Sequence, residues 1–246
     1  MAYVAESGHW YDRAGNSAYT VIGANGKERN TTLRDARKLD LVPSVTTVMK
    51  VAAAPGLERW KQEQVLLAAL TLHRDENETE KEWIERIMAD SRESGRKAAD
   101  LGTDIHASIQ KYYEQSIINQ EHMLHVEAVE KALDQYFGVQ KWVCEKSFAH
   151  RLGFGGKVDM HTDGIVVDIK TKDFGPDDKI TGFDEHLMQL AAYRMGLDMP
   201  TARCANIFVS RSHPGVVSIY EWEDVDKGWL MFRSLLEFWQ TKNEYQ

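Results

Sequence analysis

Between Gly155 and Thr171 two runs of alternating and β-branched residues flank Asp163-Gly164, a dipeptide suited to the two-residue turn of a β-hairpin. The turn sets the register. Thr162 then faces Ile165, and counting back along both strands places Asp159 opposite Asp168 and Lys157 opposite Lys170. Because side chains alternate along a strand, Lys157, Asp159, Asp168 and Lys170 are expected on one face, and Val158, Met160, Val167 and Ile169 on the other, packed on a core.

Two carboxylates opposite one another lie about 5 Å apart at Cβ, and like charges so placed repel. A divalent cation resolves that conflict. Asp159, Asp168 and the backbone carbonyl of Ile169 are hard oxygen donors of the kind Mg²⁺ and Mn²⁺ take. Lys170 would direct its ammonium at whatever the metal holds. Taken alone, the hairpin would serve equally as a solvated face with diagonal Asp–Lys pairs, so the rest of the chain has to decide.

The remainder reads as helices followed by a sheet. Residues 1–43 look β-rich, with strands at His9-Trp10-Tyr11 and Ala18–Ile22, a turn at Asn25-Gly26, and a short helix behind a threonine cap at 31–38. Ser44 caps a following segment, and Pro55-Gly56 marks a break. Helical spacing runs from Leu57 to about Leu72, from Thr79 to Tyr113 as one helix or two joined near Ser94-Gly95, and from Glu121 to Phe137. Strands are expected at 142–149, 203–210 and 216–221, with helices from Asp184 to Leu197 and behind Asp224. This order predicts an α/β fold whose mixed central sheet is flanked by helices. It would be one domain over 1–246: a β-rich appendage (1–43), a mainly helical wall (44–140), and a core of sheet and closing helices (141–246).

Further candidates lie on either side of the hairpin. Gly102 and His106 share a helical face, where the glycine permits close approach of a chain or phosphate. Glu185, Gln189 and Tyr193 recur at i, i+4, i+8, either lining a site or forming the polar stripe of an amphipathic helix. Glu145 would add a third carboxylate to the metal site or simply be exposed. Cys144 and Cys204 are too few for a four-thiolate cluster, so no iron–sulfur centre is expected. No run approaches the ~20 apolar residues of a membrane span, and Met1–Ser7 lacks a basic and apolar leader, which predicts a cytoplasmic protein without a membrane partner. The net charge of −8 argues against diffuse polyanion binding. Lys61, Arg92, Arg96, Lys97 and Lys111 remain as phosphate contacts or as a solvated helix face.

In order, Gly102-Thr103-x-x-His106, Gly156-x-Val158-Asp159, Asp168-Ile169-Lys170-Thr171 and Gln189-x-x-x-Tyr193 resemble the RecB-like branch of the PD-(D/E)XK nuclease superfamily over about residues 100–195. His9-Trp10-Tyr11 and Pro43–Thr47 look like the corresponding segments of its phage and prophage members. The resemblance implies a restriction-endonuclease-like core and a Mg²⁺- or Mn²⁺-dependent exonuclease acting on the ends of single- or double-stranded DNA, in phage recombination or DNA processing beside a single-strand-annealing or recombination partner. It gives Asp159, Asp168 and His106 as metal ligands, Lys170 as the group that orients water, and Gln189 and Tyr193 as support for the site and the DNA. A non-catalytic nucleic-acid-binding or assembly subunit, and a sequence-specific endonuclease, are the alternatives. Intact Asp159, Asp168 and Lys170 speak against the first, and the lack of an inserted recognition module speaks against the second.

Overall fold

A computed structural model describes residues 8–52 and 55–245; the leader expectation for Met1–Ser7 lies outside them. Among the described residues the chain forms a five-stranded mixed sheet and seven α-helices, none long and apolar enough to cross a membrane. The sheet runs β5 (Val143–His150), β6 (Phe154–Thr162), β7 (Ile165–Lys172), β8 (Arg203–Ser210) and β9 (Val217–Trp222) in spatial order. Every neighbouring pair is antiparallel except β7 and β8, which are joined by the crossover helix α6 (Asp184–Gly196) that parallel strands require.

Helices cover both faces, and each face has its own core. On one side α6, α7 (Val225–Lys242) and α2 (Val45–Met49) bury Leu190, Phe232 and Val48 against Phe154, Val158, Val166 and Cys204. On the other, Ile105 and Ile109 of α4 (Glu80–Tyr113) and Val126, Val129 and Leu133 of α5 (Met123–Phe137) pack on Met160, Val167, Ile169 and Ile207. Burial on two faces is why β7 reads as an apolar run. α5 starts two residues later than its pattern suggests, behind a 3-10 turn at Gln120–His122.

Local sequence explains where elements begin. Thr79 accepts from the N–H of Glu82 while the Glu82 carboxylate accepts from that of Thr79, a reciprocal cap that starts α4. From there α4 runs 34 residues without interruption through Ser94-Gly95, a length of about 50 Å. Thr32, Ser44 and Asp224 cap α1 (Leu33–Leu39), α2 and α7 as their residue types predict. Pro55-Gly56 is the first turn of α3 (Pro55–Thr71), a position where proline's missing N–H is not needed.

The β-rich entry is stitched into the body. β1 (Trp10–Tyr11) pairs with β4 (Val42–Pro43), Ser44 bridges to Gly155, and Trp10 sits in the α7-side core. β2 (Thr20–Ile22) and β3 (Glu28–Asn30) form the expected hairpin, with Gly26 at φ +73° in a loop that spans Gly23 to Lys27.

Candidate active site

The Asp163-Gly164 turn holds the register it implies: Thr162 pairs with Ile165, His161 with Val166 and Met160 with Val167. There the regular ladder ends. Glu145, on the other side of β6, adopts a left-handed backbone (φ +54°), and the β5–β6 pairing skips Glu145 and Asp159 between Cys144–Met160 and Lys146–Val158. The strand turns over at this irregularity. Val158 therefore joins Val166 in one core while Met160, Val167 and Ile169 share the other, which corrects the expectation that Val158 and Met160 face the same way. Lys157 is likewise not opposite Lys170; its ammonium is paired with Glu145.

Instead of standing opposite Asp168, Asp159 reaches across to β7, where Oδ2 accepts from the N–H of Ile169 at 2.8 Å. What the structure gives Ile169 here is thus a donor. The same Asp159 oxygen lies 3.1 Å from His106 Nε2 on α4. His106 gets this close because Gly102, one turn earlier, lets α4 lie against β7: a Cβ there would stand 2.4 Å from Thr171 Oγ1. Burial opposes the charge on Asp159, but the His106 hydrogen bond and charge, Lys170 and the Ile169 N–H outweigh it and hold the carboxyl below its ordinary value. His106 is held above its own, the carboxylate contact overcoming burial.

Asp168 belongs to a second group. It is fully buried, and Lys170 Nζ bridges its two oxygens at 3.0 and 2.9 Å. Its Oδ2 also accepts from Asn206 Nδ2 at 2.8 Å, and Asn206 Oδ1 accepts in turn from Trp222 Nε1 at 2.8 Å. Burial and the nearby Asp159 push the Asp168 carboxyl up to about 6 in spite of Lys170. Lys170 makes one further bond, to Gln189 Oε1 at 3.0 Å, and Gln189 Nε2 donates to Tyr193 Oη at 2.8 Å. Gln189 and Tyr193 are buried with Leu187 to Arg194, so they form no polar outer stripe: they face the sheet, Gln189 toward Lys170 and Tyr193 toward Phe148 and Gly156. Glu185 is only partly buried, and its charge reaches Lys170.

The donor chemistry fits a divalent ion. His106, Glu145 and Asp159 each offer a ligand atom, and these atoms lie within 4.8 Å of one another. Asp168 is not among the three. One imidazole nitrogen and two carboxylates suit Mn²⁺ somewhat better than Mg²⁺. Burial pushes both thiols, Cys144 and Cys204, up to about 12, and they lie on β5 and β8 with two strands between. Four of the five basic candidates on α3 and α4 make a contact within their own helix. Lys61 pairs with Glu58, Arg96 and Lys97 with Glu93, and Arg92 donates to the Met88 carbonyl, while Lys111 is exposed.

Asn206 is the site residue that pattern reading missed. The available signal was a lone amide in the strand Arg203–Ser210, where a buried polar group implies a partner.

No protein-family model matches the chain, and no curated protein matches it. Among solved structures, one titled "Crystal structure of SSO0001" is similar over 75% of this chain and 86% of its own, at 16% identity and a TM-score of 0.31, a likeness too slight to carry an argument.

Proposed function

We propose that this chain is a metal-dependent DNA exonuclease of the RecB-like PD-(D/E)XK type, with a restriction-endonuclease-like core, hydrolysing phosphodiesters from DNA ends. One observation supports this reading above the others: Lys170 is held by Asp168 on one side and Gln189 on the other, beside an Asp159–His106–Glu145 group with the donor types of a divalent-ion site. Lys170 is half-buried while its partner Asp168 is fully buried, and as a structural ion pair this is poor, since taking the carboxylate's charge out of water costs more than a surface contact returns. As a preorganised positive charge beside a phosphate the lysine is well placed.

Bound at these residues, Mg²⁺ or Mn²⁺ would supply the Lewis acidity that polarises a phosphate oxygen and lowers the pKa of water. The chain's own groups do the rest. Asp159 and His106 share a proton that they would give up in serving as ligands. Lys170 stabilises negative charge developing on the phosphoryl group and orients the attacking water. Gln189 fixes the lysine's direction, and Tyr193 fixes that of Gln189. With no recognition module inserted between these residues, contacts to DNA would be indifferent to sequence.

The test incubates end-labelled linear DNA, and the same molecules as closed single- and double-stranded circles, with Mg²⁺, Mn²⁺ or EDTA. Metal-dependent release of mononucleotides or short oligonucleotides from the linear forms, abolished by Asp168→Asn, is expected. Discrete fragments from the closed circles, or equal release in EDTA, would overturn the proposal.

A further inference from the structure

Next to the carboxylates lies a feature the proposed chemistry does not use. The imidazole of His9 stacks on the ring of Tyr19, with centroids 4.6 Å apart and planes 24° from parallel. A second tyrosine backs the stack. Tyr19 meets Tyr11 edge-on and shares a hydroxyl–hydroxyl hydrogen bond with it, and Tyr11 is buried against Gly155 of β6. The backbone of His9 is pinned on both sides, its N–H donating to Thr47 Oγ1 at 3.1 Å and its carbonyl accepting from Ser44 N at 2.8 Å. His9 itself is exposed. Partial burial, and then the charges of Lys50 and Lys157, hold its imidazole below the ordinary value, so near neutral pH it presents an uncharged ring within reach of two cations.

Lys157 connects this shelf to the reacting groups. Its ammonium is paired with Glu145, whose carboxylate lies with His106 and Asp159. A flat, preoriented ring flanked by lysines is the chemistry that holds unpaired nucleic acid: the base stacks, the phosphates meet the ammonium groups, and the contact tolerates any base. A base paired inside a duplex has no free face to offer.

We propose that His9, backed by Tyr19 and flanked by Lys157 and Lys50, is a stacking subsite for one unpaired base of the DNA strand whose phosphodiester reaches Lys170. This rests on the nuclease reading and deepens it, since it assigns a single-stranded end as the form in which DNA enters the site.

The experiment measures binding of a fluorescent single-stranded oligonucleotide to the full chain carrying Asp168→Asn, with one abasic nucleotide walked along the strand. At one position the missing base should weaken binding about tenfold. Adding His9→Ala should weaken binding of the intact strand by a similar factor and erase the abasic penalty, while His9→Phe, which keeps a ring, should preserve both. A fully paired blunt duplex should bind with no dependence on His9. An abasic penalty unchanged by His9→Ala, or a duplex affinity that falls with it, overturns the subsite while leaving the nuclease reading in place. Failure of the Asp168→Asn chain and its parent to bind any DNA overturns the nuclease reading itself, and the subsite with it.

Discussion

Gly102→Ala tests how α4 is seated on the site. The added methyl would lie 2.4 Å from Thr171 Oγ1, about 1 Å inside ordinary contact. Thr171 cannot swing aside cheaply, because a β-branched side chain has few χ1 choices and its other branch would take the vacated space. α4 must therefore retreat from β7, carrying His106 away from an Asp159 contact that stands at 3.1 Å. Overpacking of this kind costs about 1–3 kcal/mol, offset by up to about 1 kcal/mol from replacing a helical glycine with alanine. The net expectation is a stability loss of about 0–3 kcal/mol, with metal-dependent cleavage reduced about 100-fold, as a 1 Å displacement of a positioned group can do. Thr171→Ala removes the clashing oxygen and leaves Cβ at 3.5 Å, an acceptable contact. In that background Gly102→Ala should become stabilising by about 0.5–1 kcal/mol. Urea denaturation of the four proteins measures the sign reversal. Equal destabilisation by Gly102→Ala in both backgrounds would refute the steric account.

Three further outcomes follow from the site. With Asp168 pushed up to about 6 from 3.8, the folded metal-free protein retains a proton that the unfolded chain releases, so its stability falls as pH rises from about 4 to about 6; Asp168→Asn should flatten this fall, and a steeper fall in the variant would contradict it. Lys170→Ala should abolish cleavage yet keep Mn²⁺ affinity measured by calorimetry, since the lysine bonds Asp168 and Gln189 and is not one of the clustered ligands; loss of affinity would assign it a different role. Asn206→Ala leaves Asp168 Oδ2 and Trp222 Nε1 short of a partner and should cost about 2–4 kcal/mol, against about 1 kcal/mol for Trp222→Phe, which unpairs only the amide oxygen; equal losses in chemical denaturation would show that the amide link to Asp168 contributes little.

Much of this fold is legible because its signals are local. Asp163-Gly164 fixes three residue pairs of the hairpin, and Thr32, Ser44, Thr79 and Asp224 mark helix starts by chemistry confined to one turn. The failures begin where distant segments decide. The turnover at Asp159 depends on the backbone of Glu145, fourteen positions earlier, and alternation across a ladder has no way to register a left-handed residue in the neighbouring strand. For α6, the i, i+4 spacing of Gln189 and Tyr193 is visible but its direction is not, because only packing on the sheet turns that stripe inward. Asn206 shows the same limit: its partners stand on β7 and β9, and nothing within Arg203–Ser210 names them. Local chemistry thus placed the elements and the candidate groups, while tertiary contacts determined which group each carboxylate joins.

Those contacts give each carboxylate at the site its own cationic partner: Lys157 for Glu145, His106 for Asp159 and Lys170 for Asp168. The metal-free site is therefore close to neutral, and a divalent ion has to compete with charges already in place. For Glu145 the competitor is Lys157, a side chain that is 42% exposed and able to move off. Lys157→Met removes the competitor while keeping most of the apolar stem. It should leave Glu145 and Asp159 repelling one another, lower metal-free stability by about 1 kcal/mol, and tighten Mn²⁺ binding about tenfold, the scale of one nearby charge in a partly solvated site. Glu145→Gln should act in the opposite direction, weakening Mn²⁺ binding and making Lys157→Met without effect when the two are combined. Calorimetric titration of the four proteins decides the matter. If Lys157→Met weakens the metal, or if Glu145→Gln leaves its affinity unchanged, Glu145 is held by its lysine alone and plays no part in binding the ion.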